Sequence, residues 1–316
     1  MAKERALITG GSVGIGAALA EVFASHGHDL ILVARRRDKL EARAKDIQQK
    51  FGVDVVCLPE DLTDPQGPRR LHQAVVDRGL DVHMLVNNAG VGLYGKFATT
   101  DLDAELKMIQ LNSTSVVDLT KRFLPAMIER RRGRILNVAS TAAFVPGPWM
   151  SIYYASKAFV LSFSLAIDFE LKPHGITVTT LCPGPTESEF KVRAGSQRSR
   201  LFEAFVMDAP RVARVGYDGM MKGKPVAIPG IRNKLIPVAA RLAPLPGFTT
   251  GMMETNGHQQ YRRWAEMTSW HPCAGASWRR VEGGVFPLDD DFYARSGCIF
   301  DESPHYRELV TPPKHG

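Results

Sequence analysis

The stretch Thr9-Gly10-Gly11-Ser12-Val13-Gly14-Ile15-Gly16 decides how this chain folds. A short apolar run, Ala6–Thr9, precedes it, and in Ile15–His26, which follows, apolar residues return at helical spacing. Glycines in such a turn let the backbone approach a phosphate closely, and the helix N-terminus adds free N–H groups and a positive dipole. An ordinary strand–helix loop has the same letters, so the turn alone is a weak signal. Its place at the first strand–helix junction is what dinucleotide binding requires.

Outward from the turn, β-rich runs alternate with amphipathic stretches. Asp29–Ala34 (DLILVA) is a continuous apolar run of the kind a buried parallel strand needs. Asp38–Phe51 reads as a charged helix, Val53–Leu58 as a strand, and Gly67–Arg78 as a helical segment. His83–Asn87 is a strand, Asp101–Glu129 a long helix, Gly133–Ala139 a strand, Ser151–Lys172 a helix and Ile176–Cys182 a sixth strand. Val226–Ile228 reads as a seventh. This alternation predicts an α/β domain, a doubly wound parallel sheet with helices on both faces.

The chain has 316 residues, 44% hydrophobic and 23% charged, which excludes wholesale disorder and fibrous repeats. Four cysteines (Cys57, Cys182, Cys273, Cys298) at wide spacing make neither a disulfide framework nor a zinc pattern, so no metal is expected. No signal-peptide pattern and no run of about 20 apolar residues is evident, so a soluble, cytoplasmic protein with no transmembrane segment is expected. The net charge is +7, but residues 249–316 hold 7 Lys+Arg against 9 Asp+Glu, leaving +9 on the rest. A basic body suits nucleic acid or a small anion. With its cations scattered and no nucleic-acid motif, the small anion is preferred. Residues 249–316 contain only six Val, Ile or Leu and no clear period. The expected division is therefore a doubly wound α/β body over 1–248 and an extension of unassigned function over 249–316.

Chemistry concentrates at three places. The second strand ends at Ala34, where a carboxylate would bind the ribose 2′-hydroxyl of NAD. That acid is missing, and Arg35 beside it suits the 2′-phosphate of NADP through a charge-assisted contact. Tyr153 and Lys157, four apart on a helix, share a face. An ammonium beside a phenol favours the phenolate, which allows proton exchange with a carbonyl or alcohol oxygen. Tyr154, three residues from Lys157, has a similar claim. Ser140, at the end of the fifth strand, is placed to hold the same oxygen. Singly these residues read as a turn cap, a core edge and a solvated helix face.

Together with Asn87-Asn88-Ala89-Gly90 and Cys182-Pro183-Gly184, these motifs resemble the short-chain dehydrogenase/reductase family over roughly residues 4–232. The spacing includes Ser140 thirteen residues before Tyr153-Tyr154-Ala155-Ser156-Lys157. The resemblance implies a Rossmann fold of three α/β/α layers and NADP(H) as cofactor. It also implies a small carbonyl or alcohol substrate and a homodimer or homotetramer through the helices containing Asn112 and Tyr153. By position it assigns Tyr153, not Tyr154, as acid/base, Lys157 as the residue that lowers its pKa, Ser140 as the carbonyl-orienting hydroxyl and Asn112 as support for a proton-relay water. Gly10, Ser12, Gly14, Ile15 and Gly16 fall in the pyrophosphate turn, Asp61 at the adenine, and Asn88, Ala89 and Gly90 against the cofactor. Pro183, Gly184 and Ser188 fall at the nicotinamide, with Ser188 standing where threonine is frequent. Relatives of this kind include reductases of 3-ketoacyl thioesters and of hydroxysteroid ketones.

Substrate contacts are expected from Phe144, Val145, Trp149 and Met150 and from Thr186–Phe205. The latter holds Lys191, Arg193, Arg198 and Arg200 among phenylalanines, and is read as a solvated loop in preference to a lid for an anionic acyl carrier. Lys234–Leu245 has apolar residues at helical spacing and is expected to pack on its own domain in preference to a membrane surface. The alternatives are a silent NADP-binding sensor, which would not need the complete Ser–Tyr–Lys set, and an NAD-linked dehydrogenase, which Arg35 opposes.

Overall fold

The computed structural model describes residues 3–187, 206–242, 278–281 and 284–287. Those up to 242 lie in one compact unit, and the last two segments lie in a second, within 262–316.

The first unit is built on seven parallel strands: β1 (Arg5–Thr9), β2 (Asp29–Ala34), β3 (Val55–Pro59), β4 (Met84–Asn87), β5 (Gly133–Val138), β6 (Ile176–Leu181) and β7 (Val226–Ala227). Their order is β3-β2-β1-β4-β5-β6-β7. The doubly wound sheet read from the sequence is thus the fold. Alternation along each strand supplies two cores. Ala6, Ile8, Leu30 and Leu32 face α1 (Gly14–Ser25) and α2 (Arg37–Phe51), while Leu7, Ile31, Val33 and Leu85 face the other layer. That layer includes α3 (Gly67–Val76), α5 (Ser115–Glu129) and α6 (Ser151–Leu171). Strands buried on both faces need continuous apolar runs, which is why DLILVA is uninterrupted. The order of strands reverses between β1 and β4, and a doubly wound sheet opens its ligand crevice at that switch point.

Three elements differ from the sequence reading. The long helix expected over 101–129 is α4 (Leu102–Ile109) and α5, joined through a π-helical turn, Gln110–Thr114, that carries Asn112. A further helix, α7 (Ala209–Met221), has no counterpart in the sequence reading, although its buried residues Val212, Ala213, Gly216, Tyr217, Gly219 and Met220 recur at helical spacing. Both glycines are close contacts: a Cβ at Gly216 would lie 2.8 Å from Leu181, and one at Gly219 would lie 2.9 Å from the Ala227 Cβ. The last described helix of this unit, α8 (Ile231–Leu242), starts three residues before the expected Lys234, and 243–245 lie outside the described residues.

Among the described residues one helical segment, Ser151–His174, has the length and apolar character to cross a membrane. The sequence reading found no such stretch. It is α6 with its terminal turn, whose inner face packs on β5 and β6. In the second unit, β8 (Trp278–Val281) pairs antiparallel with β9 (Gly284–Pro287), in a region where the sequence showed no period.

Candidate active site

The switch-point crevice is a cavity of about 610 Å³, within the usual range for small-molecule sites. It runs from the glycine turn and the end of β2 to the N-terminal part of α6.

At one end the backbone makes the cradle. Gly10 has φ +68° and Gly14 φ +58°, conformations that side chains disfavour. Gly16 permits close approach: a Cβ there would lie 2.2 Å from the Gly10 carbonyl oxygen. Helix α1 starts at Gly14 behind Val13, whose side chain caps nothing, so first-turn N–H groups remain for a ligand in the crevice. Ser12 and Ile15 line the same end.

The turn is tied to β4 by a residue the sequence reading passed over. Thr9 Oγ1 accepts from the Asn88 and Ala89 N–H groups at 2.9 and 3.0 Å and donates to the Val86 carbonyl at 3.3 Å. Asn88 Nδ2 answers by donating to the Thr9 carbonyl at 2.8 Å. A strand-end threonine just before the glycine turn is its only sequence signal. Asn88, Ala89 and Gly90 form the wall beyond.

Arg35 and Asp61 stand together on the cavity edge, Nη1 to Oδ2 3.9 Å. Both side chains are about half exposed, and so loose a pair holds little energy. Asp61 is fixed instead by Thr63, whose N–H and hydroxyl donate to Oδ1 at 2.9 and 2.8 Å. The Arg35 guanidinium therefore faces the crevice as a cation suited to a phosphate.

At the other end Tyr153 and Lys157 are buried side chains of α6. The Tyr153 phenol is hydrogen-bonded to the Ser140 hydroxyl. Ser140 caps the short turn Thr141–Phe144 by accepting from the Ala142 N–H at 3.1 Å, and its hydroxyl donates to the Pro183 carbonyl at 3.3 Å. Lys157 Nζ donates to the Val138 carbonyl at 2.9 Å and lies 5.8 Å from the Tyr153 ring centre. Gly90 leaves room for it, since a Cβ would come within 3.3 Å of Nζ. Tyr154 also lines the cavity, against Gly147, but Ser140 selects Tyr153.

The electrostatics correct one expectation. The phenol of Tyr153 is not lowered by the ammonium but pushed up to about 12, because burial disfavours the phenolate more than the Ser140 hydrogen bond favours it. Lys157 is pulled down to about 8 by the same desolvation, with Cys182 acting slightly the other way. A protonated phenol thus stands beside an amine that titrates near neutrality.

Asn112 does not line the cavity. Its Oδ1 accepts from the Val91 N–H at 3.0 Å, while Nδ2 donates to the Val91 carbonyl at 2.9 Å and to Ser156 Oγ at 3.1 Å. Ser156 Oγ in turn donates to the Tyr153 carbonyl at 2.7 Å. Asn112 therefore clamps the β4 loop to the turn of α6 that holds Tyr153 and Lys157. Pro183 and Gly184 line the cavity, whereas Ser188 lies outside the described residues. So does most of Thr186–Phe205, including its four cations. Phe144, Val145, Trp149 and Met150 do not line the cavity. Val145 and Met150 pack in the cluster around Tyr153 and Tyr154, and Phe144 packs with Val160 and Cys182. Trp149 takes φ +63° just before α6. Among the described residues no group of His, Cys, Asp and Glu could hold a metal.

The uncapped helix end, the glycine cradle and Arg35 fit a phosphorylated dinucleotide. Comparison with known proteins agrees. The model of the short chain dehydrogenase family matches residues 4–199. The very-long-chain 3-oxoacyl-CoA reductase of Bos taurus is 32% identical over 228 residues, 71% of this chain and 72% of that one. A short-chain dehydrogenase from Sphingobium yanoikuyae in complex with NADPH is 34% identical, with a TM-score of 0.67 over 81% of this chain and 97% of that one. The bulky-bulky ketone specific alcohol dehydrogenase of Comamonas testosteroni is 30% identical, with a TM-score of 0.65 over 82% of this chain and 98% of that one. The chain belongs to the short-chain dehydrogenase family and is an NADP(H)-dependent oxidoreductase acting between alcohol and carbonyl groups.

Proposed function

We propose that the protein works as a reductase of bulky, lipophilic ketones, with Tyr153 as proton donor. The observation that carries this reading is the Ser140–Tyr153 hydrogen bond on the cavity wall, with the Lys157 ammonium 5.8 Å from the phenol ring. When bound, NADPH supplies the hydride. Arg35 holds its 2′-phosphate, and the Gly10–Gly16 turn with the N-terminus of α1 holds its pyrophosphate.

The Ser140 hydroxyl orients the substrate carbonyl, and Tyr153 donates its proton to the oxygen as negative charge develops there. The phenol is protonated at neutral pH, the state that donation to the developing alkoxide requires. Lys157, titrating near 8, returns a proton towards Tyr153 from the solvent side. Asn112 is a positioning residue through its clamp on α6. Electrostatic stabilisation and orientation at this oxygen supply most of the rate.

The walls near Tyr153 include Val91, Leu111, Val138, Ala142 and Tyr154 and suit an apolar substrate body. Bulky ketones and 3-oxoacyl thioesters both meet that description, and the names of the Comamonas and Bos relatives support each in turn. The exposed side chains of Leu102 and Leu106 on α4, and of Phe169 on α6, support a homodimer or homotetramer built through these helices. The reading places the protein in the cytoplasm.

The test is a pair of variants assayed with NADPH and a bulky aryl ketone. Tyr153→Phe loses turnover by a factor on the order of a thousand while keeping its NADPH affinity, and Tyr154→Phe changes turnover by less than about fivefold. Full turnover in Tyr153→Phe removes the assignment.

A further inference from the structure

Helix α8 presents an aliphatic stripe beside the cavity that is exposed among the described residues. Its first turn is pinned: Asn233 Nδ2 donates to the Pro229 carbonyl at 2.8 Å and to Met207 Sδ at 3.4 Å. The Asn233 amide lies so close to Gly184 that a Cβ there would come within 2.6 Å of it. Gly184 lines the cavity, so the start of α8 stands directly behind the cavity wall.

From that anchor Ile231, Leu235 and Val238 recur at i, i+4 and i+7, on one face, and are 75%, 61% and 54% exposed. The sequence reading expected this helix to pack on its own domain, and the inner residues Asn233 and Ile236 do turn inward. The outer stripe does not. Arg232, Lys234 and Arg241 occupy the helical positions bordering it, and no acidic residue occurs between 231 and 242.

An aliphatic stripe with cationic positions at its sides matches an anionic bilayer surface: the aliphatic groups enter the headgroup boundary, and Lys234 at the edge is long enough to reach the phosphates. A second copy fits less well, because a two-fold contact would set the same basic borders against each other.

We propose that the outer face of α8 docks the protein on anionic phospholipid bilayers and brings the active-site cavity close to the membrane surface. A lipophilic carbonyl compound dissolved in the bilayer then reaches the site without crossing bulk water. The docking stands on the helix alone; only the delivery of a ketone rests on the reductase reading.

The experiment is flotation of the full chain with phosphatidylcholine vesicles containing phosphatidylglycerol, and with phosphatidylcholine alone. The protein floats with the anionic vesicles, less so at high salt and less so with the neutral ones. Ile231→Ser/Leu235→Ser/Val238→Ser lowers the partition coefficient about tenfold or more. Lys234→Gln/Arg241→Gln lowers it by roughly fivefold per charge removed. NADPH titration of each variant reports an intact fold. Flotation without NADPH binding in the parent leaves the docking in place and removes the reductase reading. A parent that stays with the unbound fraction, or a triple serine variant that floats as the parent does, overturns the proposal. A fall in solution mass of the triple variant, with no vesicle binding by the parent, gives the face to a second copy and overturns it as well.

Discussion

Replacing Lys157 with methionine keeps the length of the side chain and removes a buried cation whose cost can be worked out. The side chain is 5% exposed, and its ammonium donates to the Val138 carbonyl at 2.9 Å. Burial takes its pKa from 10.5 in the unfolded chain to about 8 in the folded one. At about 1.4 kcal/mol per pH unit, the folded state carries a cost of about 3 kcal/mol when the group is charged. The sign follows from proton counting. Below pH 8 both states hold the proton and the cost is present in full. Between about 8 and 10.5 the folded state has released it and the unfolded chain has not, so stability rises with pH. Tyr153 works the other way, because a phenol held near 12 keeps a proton that the unfolded chain loses above pH 10. That contribution begins at higher pH and is shared by both chains. Urea unfolding followed by circular dichroism, on parent and Lys157→Met across this range, should show the difference between them shifting by about 3 kcal/mol in the parent's favour. The variant also loses turnover on the order of a hundredfold or more. Parallel stability curves would refute the claim that burial sets this amine near neutrality.

Two further perturbations probe the cofactor end. Gly16→Ala sets a Cβ 2.2 Å from the Gly10 carbonyl oxygen and 2.4 Å from Asn88 Nδ2. The turn must shift, costing about 1–3 kcal/mol in thermal unfolding and at least about tenfold in NADPH affinity. Unchanged affinity would mean that the turn does not cradle the cofactor. Thr9→Val removes the acceptor of two N–H groups at the end of β4 and should destabilise by about 2–3 kcal/mol. Denaturant midpoints check it, and a change under about 0.5 kcal/mol would show that the Thr9 links carry no weight.

Much of the fold was legible because the strands are buried on both sides, so the central ones, β1 and β2 above all, had to be short and largely apolar. The residues of the crevice were legible for a related reason. A glycine turn, an arginine at a strand end and a Tyr–Lys pair each serve a chemical demand that few other residue types meet. What escaped depends on partners far away in sequence. The need for glycine at Gly216 and Gly219 shows only once Leu181 and Ala227 are seen against them. Thr9 looks like any strand residue until Asn88 and Ala89 arrive at its hydroxyl. The direction of the Tyr153 titration could not be read from an i, i+4 spacing, because it is decided by how deeply both groups are buried. Met150 and Val145 lie close to the catalytic pair in sequence, yet they pack in the cluster around the tyrosines instead of lining the cavity.

The central claim is an NADP(H) site with Arg35 as its selector, and parallel titrations with NADPH and NADH, followed by nicotinamide fluorescence, test it without any substrate. A charge-assisted contact to the 2′-phosphate is worth about 1.5–3 kcal/mol, so NADPH should bind at least about tenfold more tightly than NADH. Arg35→Ala should abolish that margin while leaving NADH affinity unchanged. Equal affinities in the parent protein, or a margin that survives Arg35→Ala, would contradict the account.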